Sequence, residues 1–340
     1  MTQKTVKAVQ LAYGGMALKV FDALSADPRI DIQAIVTPDA GENLYRNDDI
    51  LAQEIAAKEK NVEIIQTSDL KFLHRVIKEK CPDIVIIATF CKIIPDETLS
   101  LSNFLNIHHG KLPRHRGRAN INWSIINDEP SVGVTIHEVT PALDEGDIVK
   151  QFDIKILDQD TALTLYDQLN DTLQKILPDL CIDYLNGKLS CQRQNHSLAT
   201  YFCTRLPEDG LINWSLPARI VFNMVRALCR PFPGAYTYLD GQKLTIWSAE
   251  ILTEPRTFEG IIPGRVVGFN KGEGVEVLAG DGPILLREVE YGDFCGDPSE
   301  IIKSSLITLG LNPERLLSRI ADLEQTLDTS SAAMKKTKKT

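Results

Sequence analysis

Strand-like apolar runs alternate with helical stretches along the N-terminal part of the chain, and this alternation constrains the fold more than any other feature. The strand-like runs lie at residues 5–12, 30–36, 62–65 and 83–89. Apolar residues with helical spacing fill the intervals at residues 16–24, 48–58 and 70–80. Strands that alternate with helices predict a parallel sheet covered on both faces, and the uninterrupted run IVIIA indicates one of its central strands.

We therefore expect an α/β fold with a Rossmann-like, mostly parallel sheet in the first part of the chain. The pattern changes at Leu206. A predicted helix at residues 218–228 precedes short strands that are separated by Gly/Asp turns and lie at residues 236–239, 243–251, 264–269, 274–279 and 284–289. Several short strands between turns predict a small, OB-like β-barrel domain.

These patterns divide the chain into four segments. Residues 1–190 form the α/β domain, residues 191–205 a polar linker, residues 206–315 the OB-like domain and residues 316–340 a tail. The last ten residues of the tail are basic and lack apolar periodicity, so we expect them to be disordered.

Composition narrows the classes of protein to consider. The net charge of −9 over 340 residues penalises approach to nucleic acid. No apolar run reaches the ~20 residues of a membrane helix, and the N-terminus lacks a signal-peptide pattern, so we expect a cytoplasmic protein with no membrane partner. The seven cysteines contain no CxxC pair, which supports neither a disulfide framework nor a cysteine-rich zinc site.

Polar side chains collect where the strand-like run at residues 104–108 ends. Asn106 and His108 are two residues apart, so their side chains share one face of the strand. A neutral imidazole can move a proton between a nucleophile and a leaving group, and an amide N–H can stabilise an oxyanion. Asp144, in the turn after an alternating strand at residues 132–139, is the candidate carboxylate that tunes the imidazole. On residue types alone, Asn106 and His108 could instead only cap a strand.

The histidines do not predict a metal site. His109 follows His108 directly and points to the opposite face of the strand, which indicates either a structural role or a supporting role behind the site. His115 and His137 complete a group of four, but neighbouring strand positions diverge and no HExxH sequence is present. We therefore expect no bound metal.

A basic loop with the sequence KLPRHRGR, residues 111–118, follows these histidines. Arginines in a rigid loop suit bidentate recognition of phosphate or carboxylate. In an acidic chain, this local cluster favours an anionic substrate, with Lys111 and Arg114 as candidate contacts. The alternative is a solvated basic loop.

Three linked motifs resemble the catalytic core of the 10-formyltetrahydrofolate-dependent formyltransferases. They are NIH, then LPRHRGRANINW, then GVTIHEVTPALDEGDIV, which follow the family's N-x-H, LLPxxRG and LDxGD order. The segments RLPEDGLINW and RALCRPFPGAYTYLDGQKLTIW are similar to the family's OB-like C-terminal domain. The resemblance extends over about residues 5 to 310.

The resemblance implies an enzyme whose co-substrate is 10-formyltetrahydrofolate. It assigns Asn106 as the family's asparagine, His108 as the family's general acid/base and Asp144 as the family's aspartate. It also matches Arg118 to an arginine that contacts the substrate in the amino-sugar branch. It places the folate site largely on backbone after the fourth strand and before the LDxGD turn. The matching residues are Lys92, Ile93, Ile94, Thr140, Pro141, Ala142 and Leu143.

Two acceptors compete within this family: the amine of a nucleotide-linked 4-amino sugar and the amine of methionyl-tRNA. The loop at residues 37–49 carries one arginine against three aspartates and one glutamate, a surface that should repel phosphates. We therefore predict a small-molecule nucleotide sugar as the partner, with tRNA as the alternative. A non-catalytic folate- or nucleotide-binding module and a metal-dependent hydrolase are hypotheses from other classes, and a homodimer is consistent with the family.

Overall fold

The structure is a computed structural model and describes residues 5–39, 58, 60–90, 92–270, 272–311 and 313–337. The chain divides into two compact units, Met1–Arg205 and Leu206–Thr340. The helix expected at residues 48–58 and the acidic loop at residues 37–49 fall almost entirely outside the described residues. Among the described residues, no helix combines the length and the apolarity needed to cross a membrane.

The first unit is built on a mixed, mostly parallel sheet. Its strands are β1 (Val6–Ala12), β2 (Ile30–Thr37), β3 (Glu63–Gln66), β4 (Ile84–Ala88), β5 (Asn103–His108), β6 (Arg116–Gly117), β7 (Ser131–Glu138), β8 (Ile148–Lys155) and β9 (Tyr201–Phe202). Seven of them form one sheet in the order β3-β2-β1-β4-β5-β7-β8. The pairs from β3 to β5 are parallel, and β7 pairs antiparallel with both β5 and β8. This confirms the predicted α/β fold class.

Helices cover the sheet where the sequence has amphipathic spacing. The helices of this unit are α1 (Gly15–Ala26), α2 (Leu70–Lys80), α3 (Asp96–Leu99), α4 (Asn120–Ile126) and α5 (Ala162–Leu185). Asp69 caps α2 by accepting a hydrogen bond from the Lys71 N–H at 2.9 Å. Thr161 and Thr164 form a reciprocal capping box at the start of α5, which continues through Pro178 to its end.

Burial of the central strands accounts for their sequence. All five residues of β4 are buried, as are the last five of β1, because helices lie on both faces of these strands. One apolar cluster of this core consists of Val9, Leu11, Val36, Leu73, Val76, Ile77, Val85, Ile87, Ile94 and Phe104. The apolar residues that made the alternation visible are thus the residues that hold the sheet together.

The segment at residues 191–205 belongs to the first unit, whereas the sequence predicts a linker there. Strand β9 pairs in parallel with β6, and Gln192 exchanges backbone hydrogen bonds with Ile148 at the start of β8. Gln194 is buried, with 4% of its surface exposed. The segment is anchored by backbone and polar contacts and by the Phe202 ring stacked on His115, none of which produces an apolar periodicity that a sequence search could detect.

The second unit contains an antiparallel sheet packed against one helix. Its elements are α6 (Ala218–Ala227), β10 (Ala235–Leu239), β11 (Gln242–Glu250), β12 (Val266–Asn270), β13 (Gly274–Leu278), β14 (Pro283–Tyr291) and β15 (Phe294–Gly296). The strand order is β10-β11-β14-β13-β12, with β15 added to β14. The predicted strands are therefore present, and closure into an OB-like barrel stays a prediction.

A long helix, α7 (Pro313–Thr337), ends the described chain. The sequence predicts disorder for the last ten residues, whereas the structure continues α7 through residues 331–337. Alanine and lysine dominate this stretch and have high helix propensity, so a helix can form there without a regular apolar pattern.

Candidate active site

Strands β5 and β7 bring three polar side chains together at one end of their pairing. Asn106 and His108 both reach the carboxylate of Asp144 from the same face of β5. In the register of the antiparallel pair, Asn106 lies opposite His137, and Asn106 Nδ2 is 3.0 Å from His137 Nε2. Directly opposed residues of neighbouring strands are within side-chain contact. The strand register itself therefore places the Asn106 amide against the imidazole of His137.

Asp144 completes the cluster from the turn between β7 and β8. Its Oδ2 lies 3.6 Å from His108 Nδ1, and its Oδ1 lies 3.5 Å from Asn106 Nδ2 and 3.7 Å from His137 Nε2. The φ angle of Asp144 is 53°, a left-handed conformation that aspartate tolerates better than most residues. The Gly117 N–H donates to Oδ2 at 2.9 Å. The carboxylate is thus held from the basic loop as well as from the turn.

Gly117 can make this contact because it has no side chain. Its φ is 94°, and a Cβ atom there would lie 2.3 Å from the carbonyl oxygen of Phe202 in β9. Any other residue would push β6 and β9 apart and withdraw the N–H from the carboxylate. The pairing of these two short strands therefore contributes directly to the position of Asp144.

A buried polar network holds the Asp144 turn from behind. Gln194 Nε2 donates to the backbone carbonyls of Asp144 at 2.9 Å and Gly146 at 2.7 Å. Its Oε1 accepts a hydrogen bond from Arg116 Nη2 at 2.9 Å. Arg116 is 1% exposed, and its Nη1 donates to Glu145 Oε1 at 2.7 Å. Three consecutive residues of the turn are thus anchored, and the sequence analysis did not identify Gln194.

The other edge of the His108 ring is fixed by backbone. His108 Nε2 lies 2.7 Å from the carbonyl oxygen of His115. Asn120 Nδ2 lies 2.8 Å from the same ring nitrogen, so an acceptor and a donor both face Nε2, and Nδ1 faces Asp144. Asn120, the first residue of α4, donates to the same carbonyl. A Cβ at Gly110 would lie 2.6 Å from His108 Nε2, so this glycine leaves room for the ring.

Burial and charge set the protonation states of the site. Burial lowers the pKa of His108 below 6.5, while the charge of Asp144 raises it, and the net shift is downward. Burial raises the pKa of Asp144, but the His137 side chain, the charge of His108 and the Gly117 N–H outweigh it and bring the pKa to about 2. At pH 7 a neutral imidazole therefore faces an ionised carboxylate, and this pair can accept one proton.

The amide of Asn106 has one strong and one weak partner. His137 Nε2 lies 3.0 Å from Asn106 Nδ2, and the other nitrogen of this ring, Nδ1, lies 2.7 Å from the carbonyl oxygen of Glu138. The second N–H of the amide meets Asp144 at 3.5 Å, the outer limit for a hydrogen bond. That N–H can exchange its weak contact with Asp144 for a hydrogen bond to a closer oxygen at little cost, as the predicted oxyanion role requires.

His137 is the site residue that the sequence interpretation missed, because it was weighed only as a metal ligand. The available signal was the alternation of residues 132–139, which pairs with residues 104–108 and sets His137 against Asn106. His109, by contrast, lies on the opposite face as expected. It contacts α5, with Nε2 3.1 Å from Asn170 Oδ1 and its ring edge-on to Tyr166.

In the basic loop, residues 111–118, some side chains are buried and others are exposed. Arg116 is buried in the network behind the turn, and Arg118 is exposed. Lys111 Nζ donates to Ser131 Oγ at 3.0 Å, and Arg114 Nη2 donates to Glu129 Oε1 at 3.1 Å. These partners lie at the start of β7 and just before it. Substrate contacts by Lys111, Arg114 and Arg118 stay predictions.

The residues expected to hold folate differ in exposure. Ile94 is 1% exposed and belongs to the apolar core, so only its backbone is available to a ligand. Ile93 and Leu143 are 58% and 50% exposed, which is unusual for aliphatic side chains and provides apolar surface. Lys92, Thr140, Pro141 and Ala142 are at least partly accessible. Within the described residues, no group of three or more His, Cys, Asp or Glu side chains is arranged to hold a metal ion.

The first unit is therefore an α/β domain whose mixed sheet carries Asn106, His108 and Asp144 together at one end of the β5–β7 pair. The model of the formyl transferase domain matches residues 31–181, and the model of the formyl transferase C-terminal domain matches residues 206–294. Together these matches cover more than half of the chain. The chain belongs to the formyl transferase family.

Several solved structures are similar in fold. HypX from Aquifex aeolicus in complex with tetrahydrofolic acid aligns with a TM-score of 0.61 and 15% identity over 89% of this chain and 48% of its own. WlaRD, a sugar 3N-formyl transferase solved with dTDP and 5-N-formyl-THF, aligns with a TM-score of 0.60 and 16% identity over 85% and 99% of the two chains.

The N-formyltransferase from Helicobacter canadensis, in complex with folinic acid and dTDP-3-aminofucose, aligns with a TM-score of 0.60 and 17% identity over 83% of this chain and 98% of its own. This chain spans about half the length of the HypX structures that it matches. At these identities the alignments establish a common fold.

Proposed function

We propose that this protein transfers the formyl group of 10-formyltetrahydrofolate to the amine of a nucleotide-linked 4-amino sugar. The observation that carries the proposal is the convergence of Asn106 and His108 on Asp144, whose carboxylate oxygens lie 3.5 Å from the Asn106 amide nitrogen and 3.6 Å from the His108 ring. The three side chains supply an oxyanion donor, a neutral base and a fixed carboxylate. Formyl transfer to an amine needs these three functions.

The reaction is an acyl transfer between two nitrogens. The lone pair of the unprotonated amine attacks the formyl carbon, the carbonyl π electrons move to oxygen, and the weakly held N–H of Asn106 stabilises that oxyanion. His108, neutral at pH 7, takes the proton that the attacking nitrogen must lose, and Asp144 stabilises the resulting imidazolium. The oxyanion then re-forms the carbonyl, the bond to folate N10 breaks, and His108 returns the proton to that nitrogen.

The formyl donor is supported by the family and by the chain's own surface. Related folds were solved with tetrahydrofolic acid, with 5-N-formyl-THF and with folinic acid. In this chain, the exposed aliphatic side chains of Ile93 and Leu143 fit the apolar faces of a pterin and its aryl group. We assign the backbone of residues 92–94 and 140–143 to the folate site.

The acceptor is inferred from charge and from fold relatives. Sugar N-formyltransferases are among the similar structures, one of them a sugar 3N-formyl transferase solved with dTDP and another an enzyme solved with dTDP-3-aminofucose. They support a nucleotide-linked amino sugar as the acceptor, and the choice of the 4-amino position rests on the sequence resemblance. The exposed guanidinium of Arg118 belongs to a loop that also holds the site, where it can bind a diphosphate. Net charge of −9 and the acidic sequence of residues 37–49 disfavour a nucleic-acid acceptor.

The test is a direct comparison of acceptors with purified protein. We expect 10-formyltetrahydrofolate and a UDP- or dTDP-linked 4-amino sugar to yield tetrahydrofolate and an N-formylated sugar, detected by mass spectrometry. The 3-amino isomers should react more slowly, and methionyl-tRNA should stay unformylated. Replacement His108→Ala serves as the inactive control. Formylation of the tRNA alone, or turnover that survives His108→Ala, would refute the proposal.

A further inference from the structure

Helix α7 presents an apolar face that its own unit leaves uncovered. Every described side chain from Pro313 to Leu327 is exposed. The large apolar ones among them are between 40% and 67% exposed and are Leu316, Leu317, Ile320, Leu323 and Leu327. Most of the stability of a helix in a protein comes from packing of its apolar face, so a fully exposed amphipathic helix lacks its principal source of stability.

The spacing of these residues indicates which kind of element could pack against the apolar face. Leu316, Ile320, Leu323 and Leu327 follow one another at intervals of four, three and four residues. This is the 3.5-residue period of a coiled-coil seam, with Leu316 and Leu323 at d positions and Ile320 and Leu327 at a positions. A β-branched residue at a together with leucine at d favours a parallel pair of two strands. Leu317, at the e position beside Leu316, extends the apolar face next to this seam.

The charges beside the seam select a second copy of the same helix. In this register Arg319 occupies a g position and Glu324 the following e position. In a parallel, in-register pair, a g residue faces the e residue five positions later on the other helix. Arg319 of each copy therefore meets Glu324 of the other, and the two-fold symmetry makes two attractive pairs. Both side chains are exposed and available for these contacts.

We propose that α7 pairs with α7 of a second copy of this chain as a parallel, two-stranded coiled coil, and that this pairing makes the protein a homodimer. The proposal is independent of the acceptor and of catalysis, because every residue involved lies in the second unit. Isologous contacts of this kind close on themselves, so they produce dimers and not fibres.

The test is sedimentation equilibrium of the full chain and of charge-swapped variants. We expect a dimer for the unaltered protein. Arg319→Glu and Glu324→Arg should each raise the dissociation constant about tenfold, because each turns two attractive pairs into repulsive ones. The double variant, which restores both pairs with reversed signs, should return to the original value. Far-UV circular dichroism and thermal unfolding, measured in parallel, report that each variant is folded.

A seam variant separates this proposal from other dimer interfaces. Ile320→Asp combined with Leu323→Asp places four charges in the seam of a dimer and should yield a monomer at any concentration up to tens of micromolar. A monomeric unaltered protein in that range, or a dimer that survives both aspartates, would overturn the proposal. A dimer that the double charge swap fails to restore would overturn the parallel arrangement.

Discussion

Replacement Gln194→Leu tests whether the segment after α5 positions the turn that carries Asp144. Leucine approximates the volume of glutamine but removes the donors to the carbonyls of Asp144 and Gly146 and the acceptor for Arg116. Two neutral hydrogen bonds contribute about 1 kcal/mol each and the charged one about 1.5–3 kcal/mol. Because the three share one residue and are not additive, we expect a loss of about 3 kcal/mol in the free energy of unfolding.

This loss should be visible as a change in both stability and rate. For a unit of about 200 residues, 3 kcal/mol corresponds to a decrease of about 6–12 °C in Tm, which differential scanning calorimetry can measure. The turn that carries Asp144 would lose two anchors, and displacement of a catalytic group by about 1 Å can cost about a hundredfold in rate. We therefore expect kcat for formyl transfer to fall about a hundredfold.

The matched control is Gln192→Leu. Gln192 is exposed and pairs with Ile148 through its backbone, so the same substitution there should change the free energy of unfolding by less than about 0.5 kcal/mol. Hydrogen exchange of the peptide at residues 139–147 should increase in Gln194→Leu and not in the control. If both variants matched the unaltered protein in Tm and kcat, the network would not position Asp144.

Two further predictions concern titration. Asp144→Asn removes the charge that raises the pKa of His108. The acidic limb of the kcat/KM profile lies below pH 6.5 and should therefore move to lower pH, and the plateau should fall about 10²–10⁴-fold. An acidic limb that stays in place or moves to higher pH would contradict this prediction. Burial lowers the pKa of His109 from 6.5 to about 4, so the neutral form contributes stability above pH 6.5 that is lost as pH falls to 4. That contribution is about 3 kcal/mol, and the urea-measured difference between pH 7 and pH 4 should shrink by this amount in His109→Gln; an unchanged difference would refute the assignment.

The sequence identified much of the site because the relevant signal was local. Asn106 and His108 are two residues apart at the end of an apolar run, and strand geometry alone puts them on one face. The structure confirms that arrangement and brings Asp144 to both of them. The fold class followed from alternation, since strands buried on both faces are apolar throughout.

Other parts were missed because their signal lies in pairing between distant segments. The position of His137 opposite Asn106 depends on the register of β7 against β5, and this register cannot be read from the sequence of either strand alone. Gln194 contacts the turn through backbone carbonyls, which carry no side-chain identity for a sequence to display. Residues 191–205 were therefore interpreted as a linker, although Gln194 within them contacts the turn that carries Asp144.

The pairing of β6 with β9 has a consequence for how this family can be dissected. The formyl transferase domain match ends at residue 181, yet β9 and Gln194 lie beyond it. An excised fragment that stopped at residue 181 or 190 would retain Asn106, His108 and Asp144. It would lose β9 and Gln194, which hold Gly117 and the Asp144 turn in place. A minimal autonomous enzyme should therefore extend to Arg205, and chimaeras that exchange C-terminal domains should be spliced after that residue.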